Sequence, residues 1–288
     1  MSIHQLRALV AIADSRSFRA AAERLHRTQA AISQQIKALE DSYGGTLFDR
    51  ETRPARLTPR GVMLVEHARR IIADYDSLPA RLDAKAPLSG QLRIGVIPTA
   101  SIRLLPDLIA TMANRHPDVT IRIDSGLSNT LQARLQSGAI DAALMTRAGP
   151  LPDDLDATVI QVEPMVLARA GRPGDTPKIA DFDRLPFIRF RRSAGVGRVI
   201  DAFLTTKSIV PVEAMELDSI EAIIAVVANG LGMTIVPEAD VHRYAGETVR
   251  TAPIDLKRSI ILVTRRGDQP LMTALADLLR NHERLDQA

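Results

Sequence analysis

Residues 27–40 read RTQAAISQQIKALE, and this stretch decides the fold of the first part of the chain. On a helical period, Ile32, Ile36, Leu39 and Tyr43 fall on one stripe. The opposite side carries mostly small residues and uncharged amides. An amphipathic helix of this kind must dock its apolar stripe on other elements, and its polar side then remains available to a partner.

Two short helices are predicted before this stretch. Residues 3–13 place apolar side chains at helical spacing, and Ser17 suits the N-cap of a second helix over residues 18–25. Thr28 can cap the helix that begins at Gln29. A short helix, a tight turn and a second amphipathic helix predict a helix-turn-helix, although any small helical bundle is an equal alternative on this pattern alone.

The polar side of the second helix has the chemistry for reading bases in a DNA major groove. Glutamine can pair bidentately with adenine, serine can pair with several bases, and a small alanine permits contact with a thymine methyl group. Lys37 and Arg27 are better suited to hold phosphates. The DNA-binding residues predicted here are Arg27, Thr28, Gln29, Ala30, Ser33, Gln34 and Lys37.

A hairpin is predicted after the helix. Residues 43–61 read YGGTLFDRETRPARLTPRG, in which two glycines end the helix and TLFDR and ARLTP favour two short strands around a turn. This pattern indicates a winged helix-turn-helix. Arg50 and Arg53 are predicted to grip a phosphate or to enter the minor groove from the wing. Arg56 has the same prediction, with simple solubilisation of the hairpin as an equal alternative.

The chain resembles the LysR-type transcriptional regulators. SFRAAAERLHRTQAAISQQIKALEDSYGGTLFDR (residues 17–50) and R-x-x-R-L-T-x-x-G (residues 53–61) match the N-terminal signature of that family. QSGAIDAALM (136–145) and VANGLGMTIVPE (227–238) extend the resemblance over nearly the whole chain. One departure is Pro54, which we expect to stiffen the wing.

A long helix is predicted over residues 60–78, and Pro79 should break or kink it. Its apolar stripe includes Val65, Ile72 and Tyr75. A lone helix must bury such a stripe, so a two-fold partner helix is expected, and packing on its own wing domain is the alternative for part of the stripe. The resemblance implies a dimerising linker helix and a homotetramer built from two dimers.

The second part of the chain changes pattern after APLSG (86–90), which predicts a hinge. Alternating strands and helices then predict a parallel, helix-flanked sheet. The resemblance implies a two-lobed regulatory domain like a periplasmic solute-binding protein, so that the fold class is α/β overall. The expected boundaries are 1–59 for the winged helix-turn-helix, 60–85 for the linker helix, 86–90 for the hinge and 91–288 for the regulatory domain, with lobe I at about 91–161 and 267–288 and lobe II at about 162–266.

PTAS (98–101) follows a predicted strand and precedes a helix, where open α/β sheets bind ligands. Its hydroxyls beside free helix N-terminal amides favour a carboxylate or another small anion. The alternatives are that Ser101 only caps the helix and that Thr146 only ends a strand. The resemblance implies effector-binding positions in this loop, at Thr99, Ala100 and Ser101, and also at Thr146 and, in the second lobe, at Ser193.

Composition narrows the function. The chain has no cysteine, which excludes disulfides, thiol catalysis and thiolate metal sites. No apolar run approaches the roughly 18 residues of a membrane span, and the first residues do not read as a secretion signal, so we expect a cytoplasmic protein with no membrane partner. Residues 1–60 carry net +4 against +3 for the whole chain, so the basic excess lies in the predicted DNA-binding part.

No catalytic site, metal site or cofactor is predicted. The six histidines lack metal-ligand spacing, and GVGRVI (195–200) lacks the third glycine of a dinucleotide-binding motif. The leading function is therefore a ligand-responsive regulator that binds an interrupted palindrome in double-stranded DNA as a homodimer or homotetramer, with RNA polymerase as a further partner. A two-lobed solute-binding protein and an enzyme on the same fold are the alternatives.

Overall fold

A computed structural model of the chain describes residues 1–49, 54–82, 90–267 and 270–286. The chain divides into two compact units. One consists of Met1–Gly90 with Gln136–Ala139, and the other of Gln91–Leu135 with Ile140–Ala288. The described elements of the first unit are α1 (Ile3–Ser15), α2 (Phe18–Arg24), α3 (Gln29–Tyr43), β1 (Phe48–Asp49), β2 (Arg56–Leu57) and α4 (Pro59–Leu82).

Side-chain caps set where the first three helices begin. The hydroxyls of Ser2, Ser17 and Thr28 each accept a hydrogen bond from a backbone N–H in the first turn of the helix that follows. Gly44 ends α3 in the left-handed conformation, with φ 65°. The winged helix-turn-helix predicted from the sequence is confirmed, and antiparallel pairing of β1 with β2 forms the base of the wing.

The core of the first unit is built from the predicted stripe of α3. Ile32, Ile36 and Leu39 are buried against α1 and α2, where Ala21 and Ala22 allow close approach. Tyr43 is the exception on that stripe, because it lies in the last turn of α3 and is 43% exposed. The apolar stripe therefore ends one turn before the helix does.

The linker helix α4 differs from expectation in two respects. Pro79 does not end it, and the helix continues to Leu82, since a proline this close to the end removes little of the helical hydrogen bonding. Val65 is buried in the core of its own unit, and Ile72 packs partly against it. The large apolar side chains that remain exposed on α4 are Val62, Met63, Ile71, Tyr75 and Leu78.

The second unit is built around one mixed eight-stranded sheet, in the order β4-β3-β5-β10-β6-β9-β7-β8. Its strands are β3 (Gly90–Val96), β4 (Val119–Ser125), β5 (Ala142–Thr146), β6 (Leu155–Ala170), β7 (Phe187–Phe190), β8 (Glu213–Leu217), β9 (Met233–Pro237) and β10 (Val249–Arg265). Its helices are α5 (Pro98–Arg115), α6 (Ser128–Gln136), α7 (Gly195–Thr206), α8 (Ile220–Ala228), α9 (Glu238–Tyr244) and α10 (Pro270–Asp286), with a short 3-10 helix at Ile179–Asp183.

The predicted parallel pairing is present in both lobes, where β3 pairs with β5 and β7 pairs with β8 and β9, and antiparallel strands that were not predicted join it. β10 pairs antiparallel with both β5 and β6, and β6 pairs antiparallel with β9. These two long strands run through both lobes, so each lobe is a parallel sheet completed by antiparallel strands. The α/β class, with a two-lobed regulatory half, is confirmed.

Each lobe has its own hydrophobic core. The first core includes Ile160 and residues 260–263, whereas the second includes Met165 and Ala252. The chain thus passes between the two cores inside β6 and again inside β10. Among the described helices, none combines the length and the apolar character of a membrane span.

Candidate nucleic-acid interface and ligand cavity

The polar side of α3 is open to a partner. All seven side chains predicted to bind DNA from this helix and the turn before it are exposed: Arg27, Thr28, Gln29, Ala30, Ser33, Gln34 and Lys37. Thr28 has a structural role as well, because its hydroxyl accepts a hydrogen bond of 3.2 Å from the N–H of Ala31. The exposed face of this helix thus carries small and uncharged polar side chains, with Arg27 and Lys37 as its cations.

A groove lies beside this face. It is lined by residues of α3, by β1 and by the turn between α1 and α2, where Arg16 and Arg19 stand on its rim. Arg16 adopts the left-handed conformation at φ 52°, and Arg19 pairs with Glu23 at 3.0 Å. The sequence analysis did not select these two cations, because they lie close to α3 only in the folded chain and not in the sequence.

The wing is described only in part. Arg50 and Arg53 lie outside the described residues, and Arg56 is exposed on β2. Arg60, which follows the wing, donates hydrogen bonds to the carbonyl oxygens of Tyr43 (2.7 Å) and Gly44 (3.2 Å). A guanidinium at a helix C-terminus satisfies carbonyl groups that have no helical partner, so Arg60 fixes the end of α3.

The second unit contains a cavity with about 630 Å³ of empty space, part of it open to solvent. Its walls come from both lobes. The first turns of α5, α6 and α7 meet here, with Thr99, Ser128 and Gly195 in the lining and Thr146 at the end of β5 beside them. This position matches the general rule that clefts in α/β sheets lie beyond the carboxyl ends of parallel strands.

Ser128 is the most distinctive polar group of the cavity. It is only 2% exposed, and its Oγ makes no hydrogen bond with the described residues. A buried hydroxyl without a partner is unfavourable unless something else satisfies it. Ser128 therefore marks a point where a ligand or a water molecule belongs.

Gly195 closes the floor of the cavity next to this hydroxyl. A Cβ at position 195 would lie 2.6 Å from Ser128 Oγ and 2.9 Å from Thr146 Cβ, which is closer than real side chains approach. Only glycine lets the first turn of α7 come this near to α6 and β5. The N-cap residues Ala194 of α7 and Ile97 of α5 provide no side-chain hydrogen bond, so first-turn backbone N–H groups of α7 remain available to an anion. At the start of α5, Pro98 has no N–H and the N–H of Ala100 donates to the Ile97 carbonyl, which leaves the N–H of Thr99.

The remaining walls combine apolar and acidic groups. Asp218 forms an ion pair with Arg191 at 3.0 Å. Burial, together with the hydrogen bond to Glu221, raises the pKa of Tyr244. The apolar lining is contributed by Ile97, Ile102, Leu127, Phe190, Val196 and Ile220. A ligand with an apolar body and one compact anionic group would find complementary surfaces here.

A buried arginine completes the lining. Arg258 is 1% exposed, donates from Nε to Glu163 and places Nη2 3.5 Å from Asp240. Burial lowers the pKa of Arg258 to about 10, so the guanidinium keeps its charge at neutral pH. Burial also raises the pKa of Asp240, and this effect outweighs the attraction of Arg258.

The predicted effector residues divide into two groups. Thr99 and Thr146 line the cavity. Ala100, Ser101 and Ser193 do not: Ala100 is buried in the first core, the hydroxyl of Ser101 donates to the Pro98 carbonyl at 2.6 Å, and Ser193 is exposed. The lining residues that sequence reasoning missed are Ser128, Gly195, Glu221, Tyr244 and Arg258.

Comparison with known proteins also separates a helix-turn-helix part from a ligand-binding part. Residues 3–62 match the family model for the bacterial regulatory helix-turn-helix protein of the lysR family, and residues 85–284 match the LysR substrate binding domain. The chain is similar to the HTH-type transcriptional regulator CzcR of Bacillus subtilis (strain 168), with 29% identity over 97% of this chain and 96% of that protein.

Two solved structures of full-length proteins share its fold. A full-length OxyR variant from Pseudomonas aeruginosa has a TM-score of 0.80 at 24% identity and covers 97% of this chain and 95% of its own. Full-length CbnR in complex with its target DNA has a TM-score of 0.65 at 25% identity and covers 98% and 99%. The family models span both units, so the chain belongs to the LysR family of DNA-binding transcriptional regulators, which are not enzymes.

Proposed function

We propose that this chain is a regulator whose binding to an operator is modulated by a small anionic effector held in the cavity of the second unit. The observation that carries the proposal is the buried Oγ of Ser128, which has no hydrogen-bond partner among the described residues and lines the cavity next to Thr146. The uncapped first turn of α7, the N–H of Thr99 on α5 and the guanidinium of Arg258 supply further donors to the same cavity. Together these donors favour an anionic ligand.

The effector body is proposed to occupy the apolar part of the cavity. Phe190, Val196 and Ile220 come from the second lobe, whereas Ile97 and Ile102 come from the first. A ligand that contacts both lobes should bind more tightly when the lobes are closed around it than when they are open. This difference in affinity sets how far the ligand shifts the protein towards the closed conformation. Oxidation of a cysteine thiol is excluded as the signal, because the chain has no cysteine.

We propose that α3 reads the operator in the major groove. Gln34 and Ser33 would contact base edges, and Lys37 and Arg27 would hold phosphates. Arg50 and Arg53 are proposed to bind the minor groove or a phosphate from the wing. Because a regulator must reach its operator, the protein would act in the cytoplasm. RNA polymerase is a further candidate partner there.

Assembly is proposed to run through α4. The exposed side chains Ile71, Tyr75 and Leu78 lie at four- and three-residue spacing on one side of the helix. A two-fold dimer through this side would present two recognition helices to successive major grooves about 34 Å apart, matching an interrupted palindrome. Two such dimers would form the proposed tetramer.

The test combines DNA binding with ligand binding in the full-length chain. Gel-shift titration on the DNA upstream of its own gene should show binding at concentrations well below those needed for random DNA. A thermal-melting screen of small carboxylates should identify compounds that stabilise the second unit and change the gel-shift pattern. Stabilisation without any change at the operator would contradict the regulatory role, and a screen that yields only neutral or cationic ligands would contradict the anionic one.

A further inference from the structure

Four charged side chains meet beside the cavity, where the two long strands pass between the lobes. They are Arg258 on β10, Glu163 on β6, Arg103 on α5 and Asp240 on α9. Glu163, Asp240 and Arg258 are almost fully buried. The cluster contains two cations and two carboxylates, so its charge is balanced before any ligand arrives.

The two carboxylates are held differently. Glu163 accepts a hydrogen bond from Nε of Arg258 and contacts Arg103 through its other oxygen. Asp240 lies 3.5 Å from Nη2 of Arg258, which is at the limit of a hydrogen bond. The third nitrogen of Arg258, Nη1, makes no hydrogen bond with the described residues, although Arg258 lines the cavity. Asp240 is thus the partner that Arg258 can most readily exchange.

An anion in the cavity would upset this balance. It would approach Arg258, but it would also add a third negative charge to the cluster, and the cavity wall already carries the carboxylates of Asp218 and Glu221. An uncompensated charge in a buried site is strongly unfavourable. Anion binding therefore requires either a second cation or the loss of one negative charge.

We propose that binding of a carboxylate at Arg258 is coupled to the uptake of one proton by Asp240. The ligand carboxylate takes the guanidinium face that Asp240 now shares, and Asp240 becomes a neutral carboxylic acid with a proton drawn from solvent. The charge of the cluster with its ligand is then again zero. This inference rests on the proposed function, since it requires that the cavity binds an anion.

Asp240 is the group in the cluster best suited to take the proton. The charged and titratable groups that face it are Arg258, Arg103, Arg243, Glu221 and Tyr244, and burial already raises the pKa of Asp240. Once a ligand occupies Arg258, the strongest attraction that keeps Asp240 ionised is shared with a competing anion. Glu163 keeps its own contacts to two arginines, so it should stay ionised.

The experiment is isothermal titration calorimetry on the full-length chain. The probes are straight-chain monocarboxylates from acetate to octanoate, with the matching primary amides as uncharged controls. Titration in Tris and in triethanolamine, two cationic buffers whose ionisation enthalpies differ, counts the protons taken up per ligand. We expect close to one proton per carboxylate, none per amide, and a carboxylate affinity that falls by up to about tenfold per pH unit between pH 6 and 8.

Two matched variants assign the proton. Asp240→Asn should bind the carboxylate more tightly than the native chain at pH 8 and should lose the pH dependence. Asp218→Asn also removes a carboxylate from the cavity wall, but not from Arg258, and should keep the full pH dependence. If Asp240→Asn does not fold, the proton count of the native chain still decides, because binding without proton uptake overturns the inference.

The possible failures are distinct. If no carboxylate binds, the proposed anionic effector is wrong and the inference falls with it. If carboxylates bind with no proton uptake, or if Asp240→Asn keeps the pH dependence of the native chain, only the inference is overturned. Equal affinity for carboxylates and amides would overturn both the role of Arg258 and the proton coupling.

Discussion

Gly195 and Ser128 approach each other so closely that a Cβ on Gly195 would lie 2.6 Å from Ser128 Oγ. The first turn of α7, from the second lobe, thereby faces the first turn of α6, from the first lobe, with no side chain between them. The donors at this junction belong to different lobes. A ligand held here would contact both lobes through its polar end as well as through its apolar body.

Gly195→Ala should therefore block the polar end of the cavity. A methyl group at this position must displace either the ligand head group or the hydroxyl of Ser128, so the affinity for a stabilising carboxylate should fall at least tenfold. Overpacking should also cost about 1–3 kcal/mol in the free energy of unfolding. Thermal melting with and without the carboxylate measures both effects.

Gly246→Ala is the matched control, because a Cβ there meets nothing within 4 Å. This variant should keep both the native stability and the ligand-induced shift. If Gly195→Ala also keeps its full ligand-induced shift, the head group does not bind between Ser128 and α7.

We expect different residues on the exposed face of α3 to read bases and to bind phosphates. Gln34→Ala should cost about 1–3 kcal/mol in binding free energy at the operator and much less on random DNA, since a base-edge contact is lost. Lys37→Ala should weaken binding to both DNAs and reduce the salt dependence of the affinity. Fluorescence anisotropy at several salt concentrations measures these affinities, and equal losses on both DNAs for Gln34→Ala would show that it does not read bases.

The position of the dimer seam on α4 follows from exposure. Ile71 is 41% exposed, whereas Val65 is buried in its own unit, so Ile71→Asp should disrupt the dimer without unfolding the winged domain. Ile179, which is 42% exposed in the second unit, provides a control with the same change in Ile179→Asp. Light scattering at micromolar protein should give a smaller mass only for Ile71→Asp. An unchanged mass for that variant would place the seam elsewhere.

Acid should weaken one loop of the second lobe through Asp181. The hydrogen bond from the Lys178 N–H, at 2.9 Å, is the main cause that lowers the pKa of Asp181, and Arg169 at 3.2 Å adds to it against the effect of burial. A carboxylate whose pKa is lowered in the folded state stabilises the fold above the unfolded-state pKa of about 3.8, and this contribution is lost as the pH falls below it.

Asp181→Asn should thus lower the free energy of unfolding by about 1–2 kcal/mol at pH 7, and the difference from the native chain should shrink as the pH falls below 3.8 through the pKa of Asp181 in the folded chain. Urea unfolding at a series of pH values measures it. Asp255→Asn, at an exposed position of β10, should have no effect at any pH. A destabilisation by Asp181→Asn that persists unchanged at the lowest pH of the series would assign the effect to packing rather than to charge.

The recognition helix was predictable because its signals are local. Ile32, Ile36 and Leu39 repeat at helical spacing, and Thr28 caps the helix, so no distant contact is needed to place it. The apolar stripe of α4 that was expected to pack on a partner helix was predicted less accurately. Periodicity shows which side of the helix is apolar. It does not show whether a second copy of the chain or the helix's own unit covers that side. Val65 is buried in the core of its own unit.

The long strands were not predictable by the same rules. β6 contains Pro164 and β10 contains Pro253, and proline argues against a strand in sequence-based reasoning. In the structure, the register of β10 against β6 shifts just after Pro253, which accommodates the missing N–H. The passage between the lobes occurs at the same part of both strands.

The cavity was predictable only where its residues follow a strand directly. Thr99 and Thr146 lie at such positions, and the sequence selects them for that reason. Ser128, Gly195 and Arg258 are separated by many residues and have no shared motif, so only the tertiary arrangement brings them together. Ser101 lies in the same segment as Thr99, but its hydroxyl donates a hydrogen bond to the Pro98 carbonyl in its own helix.

Tyr244 gives the cavity a built-in optical reporter. The chain has no tryptophan and three tyrosines, and the other two, Tyr43 and Tyr75, both lie in the first unit. In a chain carrying Tyr43→Phe and Tyr75→Phe, Tyr244 would be the one remaining tyrosine, and all tyrosine fluorescence would come from it. Tyr244 lines the cavity beside Glu221. Occupancy of the cavity could then be followed in real time, without a label, while the same molecules bind and leave DNA.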